Sequence, residues 1–431
     1  MNDFRRHTLL ALLLFFCCPV SAAEWANWRG PERNGVSRET DLPNDVEDVL
    51  WKKNDVSCRS TPIVMNDKVY IVSRIGEGAN EQERVVCMNA KTGDLIWEHR
   101  FGIFFTPIVS VRLGWTVPFG DPETGNVYAH GTQGLLFCFD GETGEVKWQK
   151  SLTEEFGRIT GYGGRVTSPI VEGELVIISM ISSNWGAHGG GGVRFLAFDK
   201  NNGEMVWWNT TGIRPSNTYR CIPVVTTINE QRILISGAGD GNLHAFQVNT
   251  GKKIWSFEFG NGAMNPSPVV DGTRLYAAHG EEIPGRATVG RVACLDISSS
   301  EPKLLGSTTE LNSNIPHHCF TKKTYFCLTD RADCIALMRP PASDYGEQNL
   351  VETVPAHPLM AMAKSISVPF TDISIFLMQP TMASDSHESV SSPRTQNSML
   401  KCKALQRLLT AVSSLAQLKS SIVLGNISRW T

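Results

Sequence analysis

Side chains able to do chemistry are present in this 431-residue chain, but not in the spacings that chemistry needs. Zinc capture wants Cys-x-x-Cys or His-Glu-x-x-His, which hold ligands on one turn or one helix face; neither occurs. The Gly-x-Ser-x-Gly elbow, a strained turn that exposes a nucleophilic serine, is missing too. So are the His-Arg-Asp and Asp-Phe-Gly signatures of a kinase. Three stretches stay as candidates. Gly237-Ala-Gly-Asp-Gly-Asn242 has the glycine density of a phosphate-binding loop, yet it lies between two strand-like runs and opens no helix, so a turn is expected. Asn184-Trp-Gly-Ala-His-Gly-Gly-Gly-Gly-Val193 reads as a flexible hairpin loop, with ligand capture as the competing reading. Tyr162-Gly-Gly-Arg165 and Arg220 precede short apolar runs led by proline, and meet a ligand only if those runs line a cavity.

The cysteines divide by position. Cys17 and Cys18 fall in a stretch that reads as an export signal: Arg5 and Arg6, the apolar run Leu9–Phe16, then Val20-Ser21-Ala22 or Ser21-Ala22-Ala23 as a cleavage site. The run is short for a membrane span, and Phe16 before Cys17 does not suit a lipoprotein signal. The mature chain is expected to begin near Ala23 or Glu24, to be periplasmic or secreted, and to keep no membrane span after cleavage. Cys87, Cys138 and Cys294 sit in Val-Cys-Met-Asn, Phe-Cys-Phe-Asp and Ala-Cys-Leu-Asp, and two similar runs put Ala197 and Ala245 in that place. A position that exchanges Cys for Ala is small and buried, so these three are expected to be core thiols. Cys58 and Cys221 carry no such signal.

What must position all of these is a repeat. Asn89-Ala-Lys-Thr-Gly-Asp-Leu-Ile-Trp97, Asp140-Gly-Glu-Thr-Gly-Glu-Val-Lys-Trp148, Asp199-Lys-Asn-Asn-Gly-Glu-Met-Val-Trp207 and Gln247-Val-Asn-Thr-Gly-Lys-Lys-Ile-Trp255 are four copies, spaced by 51, 59 and 48 residues. Each Trp stands four residues after its Gly, and Val49-Leu50-Trp51-Lys52 looks like an isolated last strand one period earlier. Every unit opens on a Pro and a short apolar strand, at Pro62, Pro107, Pro169, Pro223 and Pro268. A second strand, the Cys/Ala strand, a Thr-Gly turn and the Trp strand follow. Four short strands per unit of this length are the content of a propeller blade, and stacking in a ring buries both faces of each. The expected fold is an all-β propeller of four-stranded blades with five recognisable repeats. Trp51, Trp97, Trp148, Trp207 and Trp255 should pack between blades, and Gly93, Gly144, Gly203 and Gly251 should supply the positive φ of the turns.

These copies of Asp/Asn-x-x-Thr-Gly-x-x-x-Trp resemble the PQQ-type repeat of quinoprotein-like β-propellers. That family holds PQQ-dependent alcohol and glucose dehydrogenases and non-enzymatic propellers such as the outer-membrane assembly lipoprotein BamB. WD40 units would place Asp after the Trp, whereas Glu98, Gln149, Trp208 and Ser256 follow here. The resemblance implies seven or eight blades, so five are an incomplete set. In the enzymes it also implies a ring of adjacent cysteines over the cofactor, a calcium ion and an Asp base. The one adjacent pair, Cys17-Cys18, is in the export signal. No catalytic residue, cofactor-binding residue or metal ligand is therefore carried over, and PQQ with calcium belongs only to an alternative reading.

The expected organisation is an export signal over 1–23, a polar lead-in loop over 24–48, propeller repeats over 49–305 and a tail over 306–431. Of 38 Gly and 11 Trp, the tail holds three and one, a break in composition. A shifted reading frame, unrelated sequence and degenerate blades all account for it. Residues 398–420 have apolar spacing suited to a helix, and 380–397 are Ser-rich and polar. A formal charge of −3 gives no field for nucleic acid. The expected function is an exported, non-catalytic binding or assembly scaffold with protein partners in the cell envelope. The alternatives are a PQQ-dependent dehydrogenase and a sensor propeller related to bacterial Ser/Thr kinases.

Overall fold

The computed structural model describes residues 24–31, 33, 49–58, 60–103, 113–158, 166–182, 192–260, 262–279 and 291–308, and the backbone of five strands between 317 and 375. Five four-stranded antiparallel sheets follow one another along the chain, each in simple meander order. Sheet 1 holds β1 (Ile63–Met65), β2 (Lys68–Ile75), β3 (Gln82–Asn89) and β4 (Leu95–Gly102). Sheet 2 holds β5 (Phe119–Asp121), β6 (Asn126–His130), β7 (Leu135–Asp140) and β8 (Val146–Ser151). Sheet 3 holds β9 (Ile170–Glu172), β10 (Leu175–Ile181), β11 (Val193–Asp199) and β12 (Met205–Thr210). Sheet 4 holds β13 (Val224–Ile228), β14 (Gln231–Gly237), β15 (Asn242–Gln247) and β16 (Lys253–Glu258). Sheet 5 holds β17 (Val269–Asp271), β18 (Arg274–His279), β19 (Arg291–Asp296) and β20 (Lys303–Thr308). Interior strands are apolar on both faces because each sheet is sandwiched by its neighbours; β10 is buried throughout. Outer strands are not: β8 buries only Trp148. First strands of successive sheets adjoin around an axis, β1 against β5, β5 against β9 and β13 against β17. The result is a β-propeller, as expected, with one five-residue helix, Leu152–Phe156, after sheet 2.

The repeated motif is a docking device between blades. Asn89, Asp140 and Asp199 each fold their carboxyl or amide oxygen onto the backbone N–H groups two and three residues on. This closes a turn whose Gly is left-handed, with φ of 71°, 76°, 73° and 66° at Gly93, Gly144, Gly203 and Gly251. The Trp of the preceding blade lies on that Gly. A Cβ added there would stand 2.6, 2.6, 2.8 and 2.3 Å from the rings of Trp51, Trp97, Trp148 and Trp207. Each indole N–H then donates to the carbonyl one residue past the turn's Asp, Asn or Gln: Ala90 at 2.9, Gly141 at 3.0, Lys200 at 3.0 and Val248 at 2.8 Å. The ring is buried at Trp97, Trp148 and Trp207 and half-buried at Trp51, and its one donor is satisfied, so nothing is lost by placing a Trp in the seam. Cys87, Cys138 and Cys294 are free, buried thiols, pushed up to about 12, 12 and 11 by burial, as core positions require.

Four expectations change. Residues 49–52 form no strand, although Trp51 docks on sheet 1 like its counterparts. The first strand of sheet 2 is Phe119–Asp121, led by Pro118; residues 107–109 lie outside the described residues. In sheet 5 the last turn is two residues longer, so Gly306, not Leu304, stands opposite Cys294 where a Trp pairs in sheets 1 to 4. A further sheet follows, of β21 (His317–Phe320), β22 (Thr324–Leu328), β23 (Asp333–Met338) and β24 (Val351–Pro355), with the two-residue β25 (Ser374–Ile375) beside β21. Its register aligns Cys319, Phe326 and Ala336, just as Ile63, Tyr70 and Cys87 align in sheet 1. Blade-like pairing thus runs past the 305 boundary. The export signal over 1–23 and the segments 380–397 and 398–420 lie outside the described residues.

Candidate functional site

The axis of the ring is where a propeller of this build would hold a ligand, and here the chain fills it with its own N-terminal segment. Trp25 bridges to Val64, with Val64 N–H donating to the Trp25 carbonyl at 2.9 Å. Gly120 N–H donates to the Ala26 carbonyl at 2.7 Å. The chain then turns at Gly30, whose φ of 72° leaves room for the Trp25 ring 2.6 Å from where a Cβ would be. The Arg29 guanidinium lies 4.4 Å over Trp28 and donates to the carbonyls of Pro268 at 2.6 Å and Ser267 at 3.1 Å. Arg33 pairs with Glu172, donates to the Val171 carbonyl at 2.7 Å and stands 5.4 Å over Phe119. One short segment therefore ties together the innermost strands of sheets 1, 2 and 3 and the approach to that of sheet 5.

Little space remains. The cavity between this segment and the strands, lined by Trp28, Val117, Ser168, Ile170, Ile222 and Val224, is ≈ 30 Å³. That is room for about two water molecules. A tricyclic quinone does not fit there. Among the described residues no three His, Cys, Asp or Glu side chains gather as calcium ligands would. The described residues around this cavity do not fit the PQQ–calcium pair. A wider cleft of ≈ 540 Å³ opens beside Glu24, Arg33, Phe119, Asp121, Glu123 and Gly173. Two of its carboxylates, Asp121 and Glu123, are held by one buried lysine. The Lys200 ammonium lies 2.7 Å from Glu123, 3.3 Å from Asp121 and 3.5 Å from Glu174. Burial acts to lower the Lys200 pKa, but these carboxylates outweigh it and hold it at about 12.

Three other polar sets are buried, and each closes a loop. Glu83 accepts from Gly114 N–H at 2.9 Å and from the backbone and hydroxyl of Thr132 at 2.7 and 2.8 Å. Burial raises its pKa against those bonds and the nearby Arg158. His130 donates through Nδ1 to the Thr167 carbonyl at 2.9 Å; burial, helped by Arg158, depresses its pKa to about 3. Asp240, His244 and Ser256 are bonded in series, the order of a nucleophilic serine relay. His244 Nδ1 is 2.8 Å from Ser256 Oγ, and Nε2 is 3.1 and 3.0 Å from the Asp240 oxygens. The imidazole is wholly buried, Asp240 also closes the turn by accepting from Asn242 N–H at 3.0 Å, and Ser256 lies on outer strand β16, away from both cavities. This set fastens a turn.

The sequence candidates fare unequally. Gly237–Asn242 is the turn between β14 and β15, as expected, with Gly241 N–H donating to the Ala238 carbonyl at 3.2 Å. Arg220 lies before β13 and stacks 4.9 Å from the Trp115 ring. Residues 162–165 and 183–191 lie outside the described residues. Cys221 is buried and accepts from Gly237 N–H at 3.2 Å, while Cys58 is partly buried and pushed up to about 11 by burial. Trp25, Trp28, Arg29 and Arg33, read only as a polar lead-in with two Trp, are the residues the axis is built from. Two tryptophans and two arginines within nine residues, just past the expected cleavage site, were the available signal.

A family model described as "Outer membrane protein assembly factor BamB" matches residues 81–340, more than half the chain. The match continues into the sixth sheet and stops shortly after β23. The BamB of Burkholderia pseudomallei is 23% identical over 245 residues, 56% of this chain and 54% of that protein. The 1-butanol dehydrogenase (quinone) of Thauera butanivorans is 26% identical over 247 residues, 52% of this chain and 36% of that enzyme. The chain thus spans about half the length of the first and about a third of the second. The crystal structure of BamB from Moraxella catarrhalis superposes with a TM-score of 0.42 at 16% identity, over 67% of this chain and 74% of that one.

Proposed function

The chain belongs to the PQQ-repeat propeller family described as outer membrane protein assembly factor BamB, and from that premise we propose that it is an exported, non-catalytic scaffold that binds or assembles proteins of the cell envelope. The observation that carries this reading is the filled axis. The N-terminal segment 25–33 runs along the innermost strands and leaves a cavity of ≈ 30 Å³ behind it, with the ≈ 540 Å³ cleft open beside it. With the space behind the segment too small for a cofactor, the reading places partner recognition on the outer surface of the propeller. No helix among the described residues is long and apolar enough to cross a membrane. The proposal takes the protein to the periplasm or beyond and assigns it no cofactor.

The alternative is a quinoprotein dehydrogenase, favoured by the match to the butanol dehydrogenase. It needs segment 25–33 to leave the axis so that a quinone can enter. Purified protein with added PQQ and calcium separates the two. The scaffold reading expects no quinone absorption band, no heat of binding and no dye reduction with alcohols or sugars. Turnover of any alcohol or sugar would overturn it. In cells, it expects cross-links to envelope proteins through the propeller's outer surface.

A further inference from the structure

The outer strands of the blades are exposed sheet edges, and edges that must stay unpaired are normally guarded by charge. Four of the five are. β4 carries Glu98 and Arg100, β8 carries Lys147 and Lys150, β16 carries Lys253 and Glu258, and β20 carries Lys303. β12, Met-Val-Trp-Trp-Asn-Thr, carries none. It ends sheet 3, so one side of its backbone has no strand beside it. Trp207 is spent on docking to sheet 4, but Met205, Val206 and Trp208 are exposed at 46%, 52% and 54%. Val206 occupies the place Lys147 takes in sheet 2, and Trp208 the place of Gln149. A tryptophan does not reach such a site through any need of the fold, since Glu98 and Ser256 serve there in sheets 1 and 4.

Arg194, on neighbouring β11, holds its guanidinium 5.3 Å from the Trp208 ring, and among the described residues no carboxylate pairs with it. Any segment laid along this edge meets that guanidinium. An acidic partner would not be repelled.

We propose that the β12 edge of sheet 3 is a docking strand for an extended segment of a partner protein, one that is apolar on the side facing Val206 and Trp208 and places a carboxylate at Arg194. The partner adds as a fifth strand. Its backbone supplies affinity by pairing with β12, and Trp208 is the anchor that its apolar side chains cover. This site rests on the scaffold reading and gives it a location and a partner chemistry.

The test uses the whole protein and a short fluorescein-labelled peptide of alternating Val and Thr ending in Glu, followed by fluorescence anisotropy. Two control peptides carry Pro at alternate positions, which cannot pair, or Lys in place of Glu. The double variant Val206→Lys, Trp208→Gln copies the rim of sheet 2, which the same fold already accepts, and its melting temperature should match the parent's. The variant is expected to weaken binding at least about tenfold, as loss of ~1.4 kcal/mol would. The Pro peptide should not bind, and the Lys peptide should bind more weakly than the Glu peptide. Ile96→Lys on β4 should change nothing. Equal binding by the variant, or by the Pro peptide, overturns the site. So does a dimer of the parent that the variant abolishes, because the occupant is then a second copy. Photo-cross-linkers placed in cells at position 206, at position 96 and on the turn at position 142 separate this site from the reading beneath it. Protein adducts at the other positions but not at 206 sink the docking strand and leave the scaffold standing. Adducts nowhere sink both.

Discussion

Sheets 1 to 4 and sheet 5 are built to one plan but joined to the ring by different means. Each of the first four receives a tryptophan on a left-handed glycine, with the indole N–H bonded to a fixed carbonyl. Sheet 5 offers Ser300 where that glycine should be, and Gly306 where its own tryptophan should pair onward. Trp255 is still buried in the core that sheets 4 and 5 share, with Leu275, Leu295 and Ile297, and sheet 5 is held in addition from the axis, by Arg29 on the carbonyls of Ser267 and Pro268 and by Ser267 Oγ, which accepts from Ile222 N–H at 2.7 Å. Asn229 adds a bond to the Ser298 carbonyl at 2.9 Å. The difference shows what the motif is for. The tryptophan fills the seam in every case, and the glycine turn that receives it is the part sheet 5 does without.

Removing a fastener should have the largest effect. Trp148→Ala empties a buried seam and removes one donor from the Lys200 carbonyl, leaving the Tyr128 hydroxyl, so a loss of about 4 kcal/mol in urea unfolding is expected. Leu304→Ala, in the outer strand of sheet 5 at 40% exposure, should cost under ~1 kcal/mol. Equal losses would mean that the two kinds of seam do not differ. Gly203→Ala probes the other half of the fastener. Its φ of 73° disfavours a side chain, and the Cβ would lie 2.8 Å from Trp148. About 3 kcal/mol should be lost. The reciprocal change, Ser300→Gly, should be close to neutral, because Ser300 is not in the left-handed region. Arg29→Met keeps most of the bulk and removes the donors. It should cost about 2 kcal/mol, and hydrogen exchange should rise in β17 and β18 before β6 or β10. A uniform rise across the sheets would deny sheet 5 its separate attachment.

The local half of this comparison was legible in the sequence, and the axial half was not. The turn and its tryptophan recur at one offset because both ends of the fastener are built from one short stretch, copied from blade to blade. The Cys/Ala alternation likewise reports a buried strand site wherever it occurs. The Arg29 contacts span 239 and 238 residues and occur once, so no period announces them. Pro107-Ile108-Val109 imitates the local pattern of a first strand, but the strand that pairs with β6 is Phe119–Asp121, and only pairing distinguishes them. The composition break at 306 hid a sixth sheet because strand pairing needs backbone register, which Cys319, Phe326 and Ala336 retain without Trp or Thr-Gly. The bare edge of β12 was visible as Trp208 following Trp207, but its exposure was not.

Acid sharpens the contrast further, with a smaller effect. His130 ends β6 in sheet 2, fully buried, and the matching position of sheet 5 is Ala278. Its folded pKa is depressed to about 3 from an ordinary value of 6.5, first by burial and then by Arg158. Between those values the unfolded chain takes up a proton that the folded chain refuses, so stability is intact above pH 6.5 and drains as the pH falls toward 3. The slope is about 1.4 kcal/mol per pH unit for one such group. Asn in this position places its amide N–H where Nδ1 stood, so it can still donate to the Thr167 carbonyl but takes up no proton. Denaturant unfolding of His130→Asn at pH 7.5 and 5.5 should therefore lose about 1 kcal/mol less than the parent over that interval. Exchange protection should fall with acid in sheet 2 of the parent, and less so in sheet 5. Identical pH dependence in parent and variant would show that His130 is protonated or exposed in the folded ring, and that the tryptophan-fastened sheets carry no acid-sensitive bond at that point.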